Sequence, residues 1–168
     1  MPMVYALRGL ILAMIAVFIT ACAVNPVTGK KEVNFVSEAQ ETAIGQKNYG
    51  PYRQAQGGDY VADPKLARYV QSVGARIVKV SDRQLPYEFS VINDSSPNAW
   101  ALPGGKISIN RGLLVELKNE AELAAVLAHE VVHAAARHGA QSMERSVFLQ
   151  GALIAAGVTL GDSAYCVL

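Results

Sequence analysis

At 168 residues the chain is long enough for one domain with a real core and hardly for two. A composition of 51% hydrophobic and 17% charged residues excludes intrinsic disorder. Fifteen Lys+Arg against fourteen Asp+Glu, with no basic block anywhere, exclude a nucleic-acid partner.

Residues 1–21 read as a signal peptide outside the fold. Arg8 supplies a positive start, and Gly9 to Thr20 form an almost wholly apolar run. That run has the size of a signal core and falls short of the roughly 20 residues a membrane span needs. It ends Ile19-Thr20-Ala21-Cys22, which resembles a bacterial lipobox, where the cysteine becomes the lipidated first residue of the mature chain. An ordinary secretory signal or a short anchor helix is the alternative reading. On the lipobox reading Cys22 carries the acyl chains, and more than one chain gives stable attachment. Ala23 after it, by resemblance to sorted lipoproteins, favours the outer membrane. Cys166 is then left without a partner, a free thiol near the end of the chain.

Residues 22–36 read as a Pro/Gly-punctuated connector. Ser37, with Gln40 three positions on, caps a helix expected over about 38–49 and ended by Gly50-Pro51. After the loop QGGDYVADP, Asp63 caps a second helix with Pro64 at its first position. Along it Leu66, Tyr69, Val70, Val73, Ile77 and Val80 recur at helical spacing. The period then changes: Tyr87, Phe89 and Val91 alternate with Glu88, Ser90 and Ile92, as in a strand with one buried face. SSPNAWALPGG is a turn-rich interval around a short extended piece, Lys106 to Ile109 form a second strand, and NRGLLVEL a helix of about two turns. Asn119 and Glu122 approximate a capping box for AELAAVLAHEVVHAAARHG, the strongest helix in the chain. It has no Pro or Gly before Gly139, and Arg137-His138 suit the dipole near its end.

Within that helix stands HEVVH, residues 129–133. Four residues of helix bring His129 and His133 to about 40° apart and roughly 6 Å along the axis, so two imidazoles can grip one ion. Glu130 beside them can take a proton from water activated by zinc, the natural metal for imidazole ligands. The same pattern also arises by chance on ordinary helices. Here Ala124, Ala125, Leu127, Ala128, Val131, Val132, Ala134 and Ala135 make the helix apolar nearly all round. Burial is therefore expected, and buried polar groups need partners that a metal would supply. His138 lies five residues beyond His133, about 140° further round. It cannot reach the same ion on an unbroken helix and is expected as a helix-end group or one behind the ligands.

HEVVHAAARHG resembles the active-site helix of the HtpX and CAAX-prenyl-protease type of zinc metallopeptidases, metallopeptidase family forty-eight. NPVTGKKEVNFVSEAQE, SSPNAWALPGGKISINRGLL and NEAELAAVLAHE resemble its bacterial lipoprotein branch, the periplasmic quality-control proteases associated with outer-membrane β-barrel assembly. The resemblance implies an α+β, gluzincin-like domain over residues 37–168, mainly helical, with a small antiparallel sheet packed on the HExxH helix. It implies a zinc-dependent endopeptidase with one Zn2+ held by His129 and His133 and with Glu130 as the catalytic base. Misfolded or misassembled cell-envelope proteins would be its substrates, met from a lipid anchor on the periplasmic face of the outer membrane. Gly104 and Gly105 permit a tight turn, and Lys106, Ile107, Ser108 and Ile109 are expected as an exposed edge strand to which a substrate peptide adds. Asn98, Ala99 and Pro103 match the family pattern as support, and Trp100 either joins them or fills the core.

A catalytic zinc takes three protein ligands, and the family's third is a glutamate on a later helix. Glu144 follows the motif too soon, Glu120 and Glu122 sit on the motif's own helix, and Asp162 and Cys166 lie in a tail unlike the family segment. The third ligand is therefore expected beyond residue 168. The present residues are expected to form a partial domain that alone binds zinc weakly and cleaves little. A non-catalytic, chaperone-like lipoprotein is the alternative function. The apolar residues 147–160 are expected to pack against that further portion.

Overall fold

Alternation along the strands decides which face of the sheet becomes core. In the computed structural model, which describes residues 22–155, β3 (Glu88–Ile92) turns Phe89 and Val91 to one side and Ser90 to the other. β5 (Lys106–Asn110) does the same with Ile107 and Ile109 against Ser108. The two strands pair in parallel with Phe89 opposite Ile107 and Val91 opposite Ile109. β4 (Ala99–Leu102) pairs antiparallel with the far side of β5, setting Ala99 and Ala101 beside Ile109 and Ile107. The order is β3-β5-β4.

Two of the sequence expectations fall here. The sheet is mixed rather than antiparallel. Lys106, Ile107, Ser108 and Ile109 form the central strand, buried throughout and paired on both sides, so no main-chain edge is left for a substrate. The free edge nearest the motif helix belongs to β4. Alternation reports which face a strand buries; it carries no information on which strands flank it.

Three helices cover the two faces. α1 (Glu38–Ala55) lies on the serine face, where the buried Tyr49 hydroxyl donates to the Ile107 carbonyl at 2.7 Å and sits 2.8 Å from Ser90 Oγ. α1 does not stop at Gly50-Pro51 but runs through Pro51 to Ala55. Contacts of the next turn hold it: Tyr52 meets Trp100 edge-on at 4.8 Å, and Arg53 lies over Tyr49 and pairs with Asp59 at 2.7 Å. Those contacts offset the hydrogen bond Pro51 cannot donate. Gly45 permits the closest approach, since a Cβ there would stand 1.8 Å from the Pro103 carbonyl oxygen.

α2 (Pro64–Ile77) and α4 (Glu120–Ala135) cover the aliphatic face. Val70 and Val73 from α2 and Leu123, Leu127 and Val131 from α4 close the core with Phe89, Val91, Ile107 and Ile109. α2 starts as expected, with Asp63 Oδ1 accepting from the Lys65 amide at 2.9 Å and Pro64 in the first turn; Val80 lies beyond it in a 3-10 turn and is exposed. α3 is a single turn, Arg111–Leu114. Small Ala99 and Ala101 let α4 settle on the edge strand, which brings the motif to the free edge.

Residues 22–36 are an antiparallel hairpin, β1 (Cys22–Val24) with β2 (Lys31–Val33), clasped onto the corner between α4 and α5 (His138–Ala155). No helix among the described residues is long and apolar enough to cross a membrane. The signal peptide expected over residues 1–21 and the tail from residue 156, with Asp162 and Cys166, lie outside the described residues.

Candidate metal centre

α4 owes its position to both ends. At its start Asn119 Oδ1 accepts from the Glu122 amide at 3.0 Å, and the Glu122 carboxylate accepts from the Lys118 amide at 2.8 Å. Glu120 takes hydrogen bonds from Arg76 and, at 2.8 Å, from the Tyr69 hydroxyl, pinning the first turn of α4 to α2. The three carboxylates considered as third ligands that fall among the described residues are thus engaged elsewhere, for Glu144 Oε1 accepts from the amides of Phe35 and Val36 at 3.0 and 2.8 Å.

One turn apart, His129 Nε2 and His133 Nε2 converge to 2.9 Å, their ring centroids 4.5 Å apart. A tetrahedral zinc with bonds near 2.0–2.1 Å holds two ligand nitrogens about 3.3 Å apart, so the pair fits that ion after opening by a few tenths of an ångström. Burial, and then the neighbouring imidazoles of His129 and His138, hold His133 below the usual histidine range, which favours the neutral ring a metal requires. Glu130 and His133 line a cleft of about 310 Å³ whose opposite wall is the edge strand from Ala99 to Leu102 with Pro103. Burial raises the Glu130 carboxyl above the ordinary carboxylate range, with His129 pulling the other way. Among the described residues no third His, Cys, Asp or Glu joins the two imidazoles in a metal-ligand group.

α4 is not buried all round, as its composition suggested. Ala125, His129 and Val132 lie on an exposed face, Val132 at 45%. What singles out the histidines is convergence of two ring nitrogens, not burial.

The helix also ends earlier than expected. Arg137 adopts φ 63°, α4 stops at Ala135, and α5 starts at His138. The reversal folds His138 back until its Nδ1 lies 2.7 Å from His133 Nδ1, on the side of that ring away from His129. A left-handed arginine needs support, and it comes from far in sequence. Arg137 donates to the Val36 carbonyl, and its Nε lies 3.3 Å from Glu41 Oε2, an ion-pair contact too poorly aligned for a hydrogen bond. Glu41 is fully buried, and Arg83 grips it through both terminal nitrogens at 3.3 and 3.1 Å. Arg83 also donates to the Ala134 carbonyl at 3.3 Å, and Asn25 Nδ2 to the Ala136 carbonyl at 2.9 Å. The cluster of Asn25, Glu41, Arg83 and Arg137 escaped the sequence reading, which had Arg137 only as a helix-end cation, because four positions spread over more than 110 residues leave no local pattern; a glutamate on the sheet-facing side of α1 was the one available sign.

The profile of peptidase family M48 matches residues 64–165, more than half of the chain. The mitochondrial metalloendopeptidase OMA1 of Schizosaccharomyces pombe is 38% identical over 120 residues, 70% of this chain and 36% of that protein. The β-barrel assembly-enhancing protease of Escherichia coli strain K12 is 36% identical over 113 residues, 64% of this chain and 23% of that protein. The chain therefore spans well under half the length of these relatives.

Proposed function

Because the chain belongs to peptidase family M48, we propose that it works as a zinc-dependent endopeptidase on misfolded or misassembled proteins of the cell envelope. The observation that carries the reading is the 2.9 Å convergence of His129 and His133 Nε2, with Glu130 and His133 lining a cleft walled by an open strand edge. The two imidazoles supply two of the three protein ligands a catalytic zinc takes, and the third is to be sought outside the described residues. When bound there, zinc supplies a Lewis acid that polarises a peptide carbonyl and lowers the pKa of water to about 7.

The chain's own groups do the rest. Glu130 accepts the proton of the attacking water and passes it to the departing amine; its raised pKa brings it nearer the working pH of a proton shuttle. An unfolded substrate adds alongside β4, whose main-chain groups hold it extended and largely regardless of sequence, which suits unfolded clients. This takes over the role expected of Lys106 to Ile109. The substrate class draws support from the name of the Escherichia coli relative. Attachment through a lipidated Cys22 at the periplasmic face of the outer membrane completes the reading.

Glu130→Gln is the test, on the protein isolated as its cell makes it. Cleavage of unfolded casein should stop with a chelator, return with zinc, and be absent from Glu130→Gln, which still takes up zinc. Equal cleavage by wild type and variant would remove Glu130 from the chemistry, and no zinc-dependent cleavage by the wild type would remove the proposal and leave a binding role.

A further inference from the structure

The contact between His133 and His138 has no part in the chemistry above, yet it constrains that chemistry. Two imidazole Nδ1 atoms at 2.7 Å must share one proton, since two bare nitrogens would repel. For His133 to present an Nε2 lone pair beside His129, its own proton has to sit on Nδ1. His133 Nδ1–H then donates, and His138 accepts on Nδ1 with its proton on Nε2. The rings stand 73° apart with centroids at 4.6 Å, an edge-on arrangement in which the in-plane N–H of one ring meets the partner nitrogen.

The contact exists only because the backbone reverses at Arg137. On an unbroken helix His138 would lie about 140° round from His133. Glu41, Arg83 and the Val36 carbonyl anchor that reversal from three separate segments.

We propose that His138 is a positioning residue for the metal centre. Seated by the anchored reversal at Arg137, it accepts the His133 Nδ1 proton and so fixes that ring with Nε2 free for the ion. The inference rests on the zinc reading of His129 and His133. Partners of this kind behind metal-bound imidazoles set the tautomer and ring orientation, and their loss costs about 10- to 100-fold in affinity.

The experiment uses the full chain, wild type, His138→Ala and His138→Asn, with zinc itself as probe in competition with a chromophoric chelator. Asn places Oδ1 where the histidine had Nδ1, so it keeps the acceptor. His138→Ala should raise the zinc dissociation constant about 10- to 100-fold. In the metal-free protein, ring 15N NMR should show His133 leaving the Nδ1–H tautomer, and His138→Asn should bring both readouts back. Unchanged affinity and tautomer in His138→Ala would overturn the positioning role while leaving the zinc reading intact. Failure of the wild type to take up zinc would defeat the zinc reading and this inference with it.

Discussion

Glu41 is the residue on which most of the corner behind the candidate metal centre converges. Its carboxylate is fully buried, receives both terminal nitrogens of Arg83, and faces Arg137 Nε at 3.3 Å. Truncating it leaves Arg137 without its carboxylate and Arg83 with only the exposed Glu38, at 3.0 Å, to answer its charge in a largely desolvated site, which costs about 3–5 kcal/mol. Glu41→Ala should therefore lower the unfolding free energy of the metal-free protein by about that amount in urea. A change below about 1 kcal/mol, the level of an exposed ion pair, would show the cluster to be solvated. Gly45, one turn further along α1, is sensitive for a steric reason. A Cβ 1.8 Å from the Pro103 carbonyl oxygen forces α1 off the β4–β5 turn. Gly45→Ala should cost about 1–3 kcal/mol despite the better helix propensity of alanine, and thermal melts will show it.

Between elements, the joint of α2 and α4 carries its own pH signature. Hydrogen bonds from Arg76, and then from Tyr69, hold the Glu120 carboxyl below its ordinary value of 4.5. A folded-state value below the unfolded one means the joint's contribution is present above about 4.5 and is lost as pH falls through the folded value. Wild type and Glu120→Gln should accordingly melt apart at pH 7 and converge in acid; curves that stay equally separated at pH 3 would contradict the assignment. α4 itself was legible in sequence because its cap, its apolar spacing and its histidines are local signals, and α2 with its Asp63-Pro64 start likewise. What was not legible depends on distant partners. Gly50-Pro51 reads as a stop until Tyr52 and Arg53 meet Trp100 and Asp59. Lys106 to Ile109 read as an edge until β3 and β4 flank them. Arg137 reads as helix until Glu41 holds it in the left-handed region. The convergent pair His129 and His133 could be named from four-residue spacing, whereas the third histidine could not be placed, because its place is set by that reversal.

Across the whole molecule, the N-terminal hairpin ties the first described residues to the corner that follows α4, the helix of the candidate metal centre. Asn25 is buried: its Oδ1 accepts from the amides of Val27 and Thr28 at 3.0 and 3.1 Å, and its Nδ2 donates to Glu32 and to the Ala136 carbonyl. Removing that side chain orphans two turn amides and leaves the Ala136 carbonyl to Gln141 Nε2 alone, at 3.1 Å. Asn25→Ala should cost about 1–3 kcal/mol in the metal-free protein, the penalty for unpaired buried groups. A second effect distinguishes a clasp from an ornament. Zinc that binds only the folded state stabilises it by about 2.7 kcal/mol at a hundred times its dissociation constant, so any loss of affinity appears as a smaller zinc-induced rise in melting temperature. If His129 and His133 hold zinc as proposed, the hairpin holds the Ala136–Arg137 reversal in place, and the reversal in turn seats His138 behind His133, Asn25→Ala must weaken zinc even though it lies more than 100 residues from either histidine in sequence. Linkage makes the relation reciprocal: bound zinc must protect the hairpin amides of wild type from hydrogen exchange more than it protects them in the variant. A zinc-induced shift identical in both proteins, beside a plain loss of stability, would mean that the hairpin supports the fold without reaching the metal.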